Sequence, residues 1–203
     1  DSYNVTIKAQ PTGETCPVNS GNGSNIKTDI SNISVTCIAN HLSFSGVQTN
    51  LEVSEVTSGG FTQCFLETYD NALGTSAETA IRETCTEPVI LVACRPTGSS
   101  TLTVAAMAEA DEIFAGQDPA TATGSHTANG SQWYNTDNYS FGFAPLGATL
   151  NRFSCDFNPT AQQNQRLCWH TLAVVGGFSC GETQFLNGST AWERVVYQRS
   201  GTV

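Results

Sequence analysis

Gly177-Phe178-Ser179-Cys180-Gly181 spells G-x-S-x-G, the turn that presents a nucleophilic serine in hydrolases of the α/β class. That chemistry needs a strand, a sharp turn and a helix, with a histidine later in the chain to take the serine's proton. His170 is the last histidine, and residues 182–190 (ETQFLNGST) have no helical period. Ser179 is therefore not read as a nucleophile. Cys168 and His170 alternate onto one face of a strand, and with Cys155 and Cys180 they make a Cys3His set of the kind that holds zinc. The spacing fits no zinc finger, and thiols in an oxidising compartment pair instead. Glu109, Asp111 and Glu112 cluster, but without the glycine turn and closing bidentate acid of a calcium loop. They read as a solvated acidic face. Asp118, Asp137 and Asp156 are weaker candidates for a structural calcium. His41 and His126 are isolated. No catalytic residue, metal or cofactor is expected.

Cysteine is the strongest signal. Cys16, Cys37, Cys64, Cys85, Cys94, Cys155, Cys168 and Cys180 are even in number, and none stands in a C-x-x-C pair. Four disulfides and an extracellular or cell-surface location follow. Eight cysteines allow 105 pairings. The working expectation is Cys16–Cys37, then Cys64–Cys85 or Cys85–Cys94, then Cys168–Cys180 across a Gly-rich turn. The remaining cysteine of the N-terminal half would join Cys155.

Eighteen acidic residues against eight basic ones give a net charge of −10 over 203 residues. Phosphate backbones and anionic membrane surfaces would be repelled. No apolar run reaches eighteen residues, so nothing spans a bilayer as a helix. The chain starts at Asp1, as an exported protein would after cleavage of a signal peptide. Only 13% of residues are charged, and Ser, Thr, Asn and Gly take their place, as on extracellular surfaces. Asn4, Asn22, Asn32, Asn129, Asn138 and Asn187 occupy N-x-S/T sequons and are candidate glycosylation sites, on the footing of a glycoprotein.

Two sets of residues are candidates for binding. Trp133, Tyr134, Trp169 and Trp192, with Tyr139, would make a sugar-stacking platform if their faces are open, or a core if they are not. Tyr3, Val5 and Ile7 alternate with polar neighbours over residues 3–9, which predicts a half-buried strand. A polar Gly/Ser/Asn loop follows at 17–25. Such a strand can pair at home or complete a neighbour's sheet, and heterologous pairing of that kind grows into a filament.

The elements that must position these residues are mostly strands. Residues 33–38, 42–53, 89–94 (VILVAC) and 102–108 (LTVAAMA) read as strands, the last two as buried ones. Cys64–Tyr69 reads as helical, and Thr75-Ser76-Ala77-Glu78 as a capping box opening a helix through Arg82. Residues 116–131 read as a surface loop, and short aromatic strands fill the last third.

Several segments, Gly60-Phe61-Thr62-Gln63-Cys64, Ala93-Cys94-Arg95-Pro96, Trp133-Tyr134, Phe141-Gly142-Phe143-Ala144-Pro145 and Asn151-Arg152-Phe153-Ser154-Cys155-Asp156, carry a likeness. So do Arg166-Leu167-Cys168-Trp169-His170-Thr171, Gly176-Gly177-Phe178-Ser179-Cys180-Gly181 and Trp192-Glu193-Arg194-Val195-Val196-Tyr197. With them, residues 57–198 resemble an uncharacterised group of secreted, Cys-rich bacterial proteins. The resemblance implies export and a disulfide-held module, and no activity. The expected fold is β-rich α+β: antiparallel sheets, one or two short helices and disulfide staples. An N-terminal strand segment (1–56, with a donor strand at 1–10) precedes a Cys/Trp/Gly-rich secreted domain (57–203). The expected function is a non-catalytic structural or interaction protein of the cell surface, self-associating into a pilus-like filament. A carbohydrate-binding adhesin is the alternative, and a secreted hydrolase the third reading.

Overall fold

Residues 1–11, 14–115, 125–150, 162–172 and 177–203 are described in the computed structural model. The first 41 residues form an arm of three two-stranded ribbons. β1 (Ser2–Asn4) pairs with β4 (Asn22–Ser24), β2 (Glu14–Thr15) with β6 (Ile38–Ala39), and β3 (Val18–Asn19) with β5 (Ser34–Val35). The predicted strand over 3–9 is thus shorter than its alternation suggests. After Asn4 only the Val5 amide carries the pairing on, donating to Gly21 O at 2.6 Å. The Tyr3 ring lies across Gly23, where an added Cβ would meet it at 2.5 Å, and its hydroxyl donates to Ser20 O. The Cys16–Cys37 disulfide closes the arm.

The body holds two antiparallel five-stranded sheets. The first is built from β7 (Gln48–Glu52), β8 (Thr62–Thr68), β9 (Val89–Pro96), β10 (Thr101–Glu109) and β16 (Trp192–Arg199). Its order is β7-β10-β9-β16-β8. The second runs β11 (His126–Ala128), β12 (Ser131–Thr136), β13 (Ser140–Pro145), β14 (Leu167–His170), β15 (Ser179–Cys180), in sequence order. Three short helices accompany them: α1 (Val53–Ser58), α2 (Ala77–Arg82) and α3 (Ala110–Ile113). This is the β-rich α+β fold expected, with one helix more.

The apolar runs explain the layering. Ile90, Val92 and Cys94 of β9, with Val104 and Ala106 of β10, face Trp133, Phe141, Phe143 and Trp169 of the second sheet. Val89, Leu91 and Ala93 point the other way, onto Val56 of α1, Phe61 and the flanking Leu42, Phe44 and Leu51. A sheet covered on both faces has no solvent side, so its central strands lose their polar alternation. Each fully buried Leu, Ile or Val there contributes about 2 kcal/mol. The segment drawn as 1–56 therefore divides. From Leu42 onward it packs on the first sheet, and β7 is hydrogen-bonded to β10.

Two local expectations are corrected. Cys64–Tyr69 is not helical: Thr62–Thr68 is strand β8, paired along its length with β16. Its Thr, Phe and Leu suit a pleated sheet flank. The cap of α2 is Ser76 rather than Thr75, its hydroxyl accepting from the Thr79 amide at 3.4 Å. One turn apart on this helix, Glu78 and Arg82 pair at 3.7 Å.

Cys16–Cys37 and Cys64–Cys85 pair as expected, but Cys180 bonds to Cys94 and not to Cys168. Register gives the reason. Cys168 stands opposite Ser179, while Cys180 stands opposite Leu167. The two cysteines therefore point to opposite faces of the second sheet. Cys180 enters the inter-sheet core and Cys168 the outer cluster with Tyr134 and Phe178. Cys94 is thereby lost as a partner for Cys155. Cys168 is itself disulfide-bonded; Cys155, like Asp118, Arg152 and Asp156, lies outside the described residues. Three described disulfides suit an oxidising compartment. No described helix is long and apolar enough to cross a membrane.

Candidate interaction surface

A surface that binds another molecule must first be separated from what the fold uses for itself. The aromatic set belongs to the fold. Trp133, Tyr134 and Trp169 are fully buried, and Trp192 is half-buried against the same core. Trp133 packs edge-on against Phe143 at 5.1 Å, and Trp169 lies 5.6 Å from Phe141. Trp133 and Trp169 are enclosed between the two sheets and Tyr134 in the cluster on the outer face of the second, so of the two readings these three rings are core. Their polar tips are committed as well. Trp133 Nε1 donates to Ala128 O, Tyr134 Oη to Leu167 O, and Trp169 Nε1 to the Tyr69 hydroxyl at 2.9 Å.

The chemistry-bearing groups are likewise spent or dispersed. Ser179 is buried within β15 and its carbonyl accepts from Tyr69 Oη at 3.1 Å. The Cys3His set does not assemble, because Cys180 and Cys168 are both oxidised and face opposite sides. His170 Nδ1 lies 3.1 Å from Asn187 Oδ1, and His126 touches the Glu112 carbonyl. Glu14, Cys16 and Cys37 bring three potential ligand atoms together, the one such group among the described residues. Both sulfurs are in a disulfide, which leaves a single carboxylate. Asp111 pairs with Arg82 at 2.5 Å, and Glu109 accepts from the Val203 amide.

The described arginines turn inward. Arg194 is fully buried, donating to Glu67 at 3.1 Å and to the carbonyls of Thr68 and Asn71, with its guanidinium 5.8 Å from the Tyr69 ring centre. Sequence reading did not single out Tyr69, yet it holds this hub. Burial pushes its phenol well above the ordinary value, against smaller opposing effects of the Trp169 hydrogen bond and Arg194. Burial lowers Arg194 in turn. Arg95 pairs with Glu193 at 2.6 Å, and Arg199 covers the Phe61 ring. The two lysines, Lys8 and Lys27, are in the arm with Asp1, Glu14 and Asp29. The arm is therefore near neutral, and nine of the ten net negative charges fall on the body, whose described arginines are buried or paired.

The arm is where apolar surface is left open. Among its described side chains only Cys16 is buried. Ile38 is 61% exposed, Val35 49% and Val5 40%, and Ile30 is open as well. Tyr3 and Ile7 are half-buried. None of its strands pairs with a strand of the body. On the body, β8 ends the first sheet with no described strand on its outer side, and its Leu66 is 44% exposed.

The sequons differ in their surroundings. Asn4, Asn22, Asn32, Asn138 and Asn187 are exposed. Asn4 and Asn22 face each other across β1–β4. Asn129 is different: its Nδ2 donates to Phe44 O at 2.8 Å and Met107 O at 2.9 Å. Both hydrogens of that nitrogen are used, and a glycan would replace one of them and break at least one bond, so Asn129 is removed from the candidate acceptors.

Compared with protein family models, with curated proteins and with solved structures, the chain gives no match.

Proposed function

We propose that this is a non-catalytic extracellular protein of the cell surface whose N-terminal arm docks on a second copy of the chain, building a head-to-tail, pilus-like assembly. The observation that carries the reading is the coreless arm, with Val5, Val35 and Ile38 exposed on ribbons of two or three residues per strand. Two-stranded ribbons are marginal alone in water. The arm's disulfide holds its shape, and docking would cover its apolar side chains. The near-neutral arm, which holds both lysines, is the part of the chain that the strongly acidic body of another copy repels least. The open edge of β8, seven residues long, is the acceptor we favour, by strand addition. The disulfides and the resemblance of residues 57–198 to secreted Cys-rich proteins support placement outside the cell.

The test is the mass of the full chain in solution by light scattering, compared with Leu66→Lys and with a deletion of residues 1–10. Wild type is expected to form concentration-dependent oligomers, and both variants to be folded monomers. Monomeric wild type at high concentration, or a variant that still assembles, would refute the arm-to-edge contact.

A further inference from the structure

The cavity of about 310 Å3 where strands β7 and β10 of the first sheet meet the chain after β15 of the second belongs neither to the arm nor to the aromatic core. Four segments distant in sequence build it: Thr49 and Asn50 of β7, Thr103 of β10, Asn164 of the 3-10 turn Gln163–Gln165, and Glu182 and Thr183 after β15. Every one of these side chains can donate or accept hydrogen bonds, and none makes one to another described group. By contrast, Arg82, Glu109 and Asp111, which line another cavity, are tied up with one another or with the chain.

The walls are fixed before any ligand arrives. Cys94–Cys180 ties the two sheets together one residue from Gly181. Gly181 lies in the left-handed region, where an added Cβ would sit 3.3 Å from Thr103. Its amide donates to Arg166 O and its carbonyl accepts from Gln163 Nε2. Asn50 and Gln162 also have left-handed backbones, with φ of 55° and 58°. Non-glycine residues in that region carry a local cost that the surrounding fold must hold in place, and such positions concentrate at functional sites.

The lining selects the chemistry of the ligand. Among the described residues it has no apolar side chain for an apolar ligand, and no Lys or Arg for an anion. One carboxylate is too few for a calcium ion, which takes six to eight oxygens, several of them from acids. Hydroxyls, amides and one acid suit a neutral polyol, whose hydroxyls both donate and accept. We propose that this cavity binds a neutral sugar residue of a glycan. The site is separate from the arm and does not depend on self-association.

The experiment screens the full chain on an array of neutral and of anionic (sialylated and sulfated) glycans, then titrates the best neutral ligand by calorimetry. The arm variant Ile38→Asp is titrated beside wild type, so that avidity from assembly does not mimic affinity. Wild type and Ile38→Asp are expected to bind the same neutral glycan with the same affinity. Asn50→Gly, which suits the left-handed backbone, and the near-isosteric Thr183→Val should each weaken binding about tenfold, while the tryptophan fluorescence of the folded body stays unchanged. The proposal is overturned if no neutral glycan binds, if only anionic glycans bind, or if both cavity variants bind as wild type.

Discussion

Replacing the Cys94–Cys180 pair by alanines should separate the energetics of body and arm. A disulfide acts mainly by restricting the unfolded chain, and the effect grows with the loop it closes. Cys94–Cys180 spans 86 residues, and chain entropy gives about 4.6 kcal/mol for a loop of that size. Cys16–Cys37 spans 21, for about 3.3 kcal/mol. Loop length alone would make the two replacements comparable; location makes them different. Cys94 and Cys180 are fully buried between the sheets, whereas Cys37 is exposed in an arm without a core. All three tryptophans lie in the body, so their fluorescence reports the body alone. In urea titrations followed by that fluorescence, Cys94→Ala/Cys180→Ala should lower the midpoint by about 2 M, taking a denaturant slope of about 2 kcal/mol/M. Cys16→Ala/Cys37→Ala should leave it within about 0.3 M of wild type, by the same slope. Equal shifts for the two variants, or a larger one for the arm pair, would refute the division into a cooperative body and a coreless arm.

Three further outcomes follow. Arg194→Met leaves the Asn71 carbonyl without its donor and Glu67 without its partner; it should cost about 2 kcal/mol, read as a lower urea midpoint. Burial raises the Tyr69 and Tyr197 phenols above their ordinary value of 10.0. The protonated form is thus favoured by the fold, its stabilisation is complete below about pH 10, and it is lost as pH rises through the higher folded value. An ultraviolet titration should therefore show Tyr69 and Tyr197 ionising late, together with alkaline unfolding; ionisation of both at the ordinary phenol value in the folded protein would contradict their burial. Expressed in a host that attaches N-glycans, the chain should carry none at Asn129, and Asn129→Ala should destabilise the body by about 2 kcal/mol; a glycopeptide at Asn129 in mass spectrometry would contradict its role.

The strands that build the inter-sheet core were legible because burial writes itself into composition. VILVAC and LTVAAMA became β9 and β10 with nearly the bounds predicted. The helix through Arg82 was legible from its capping sequence, one residue off in the cap itself. Cys64–Tyr69 was not, since the seven-residue strand Thr62–Thr68 that covers most of it, with mixed apolar and polar residues, takes its form from the β16 strand it pairs with. The disulfide of Cys180 was hidden because proximity in sequence says nothing of which face of a strand a cysteine occupies. The aromatic set was read as either platform or core, and only the packing of one sheet on the other decides for core. The polar cavity left no sequence signal at all. Its residues come from four separate stretches, and Thr, Asn and Glu are ordinary surface residues until a fold brings them together.

The arm's role is tested most directly by electron microscopy and light scattering of the purified full chain beside Val35→Asp/Ile38→Asp, which places charge on the exposed apolar side chains without touching the body. The account predicts filaments or concentration-dependent oligomers for the wild type and folded monomers for the variant. A wild type that remains monomeric at high concentration, or a variant that assembles as well as the wild type, would contradict it.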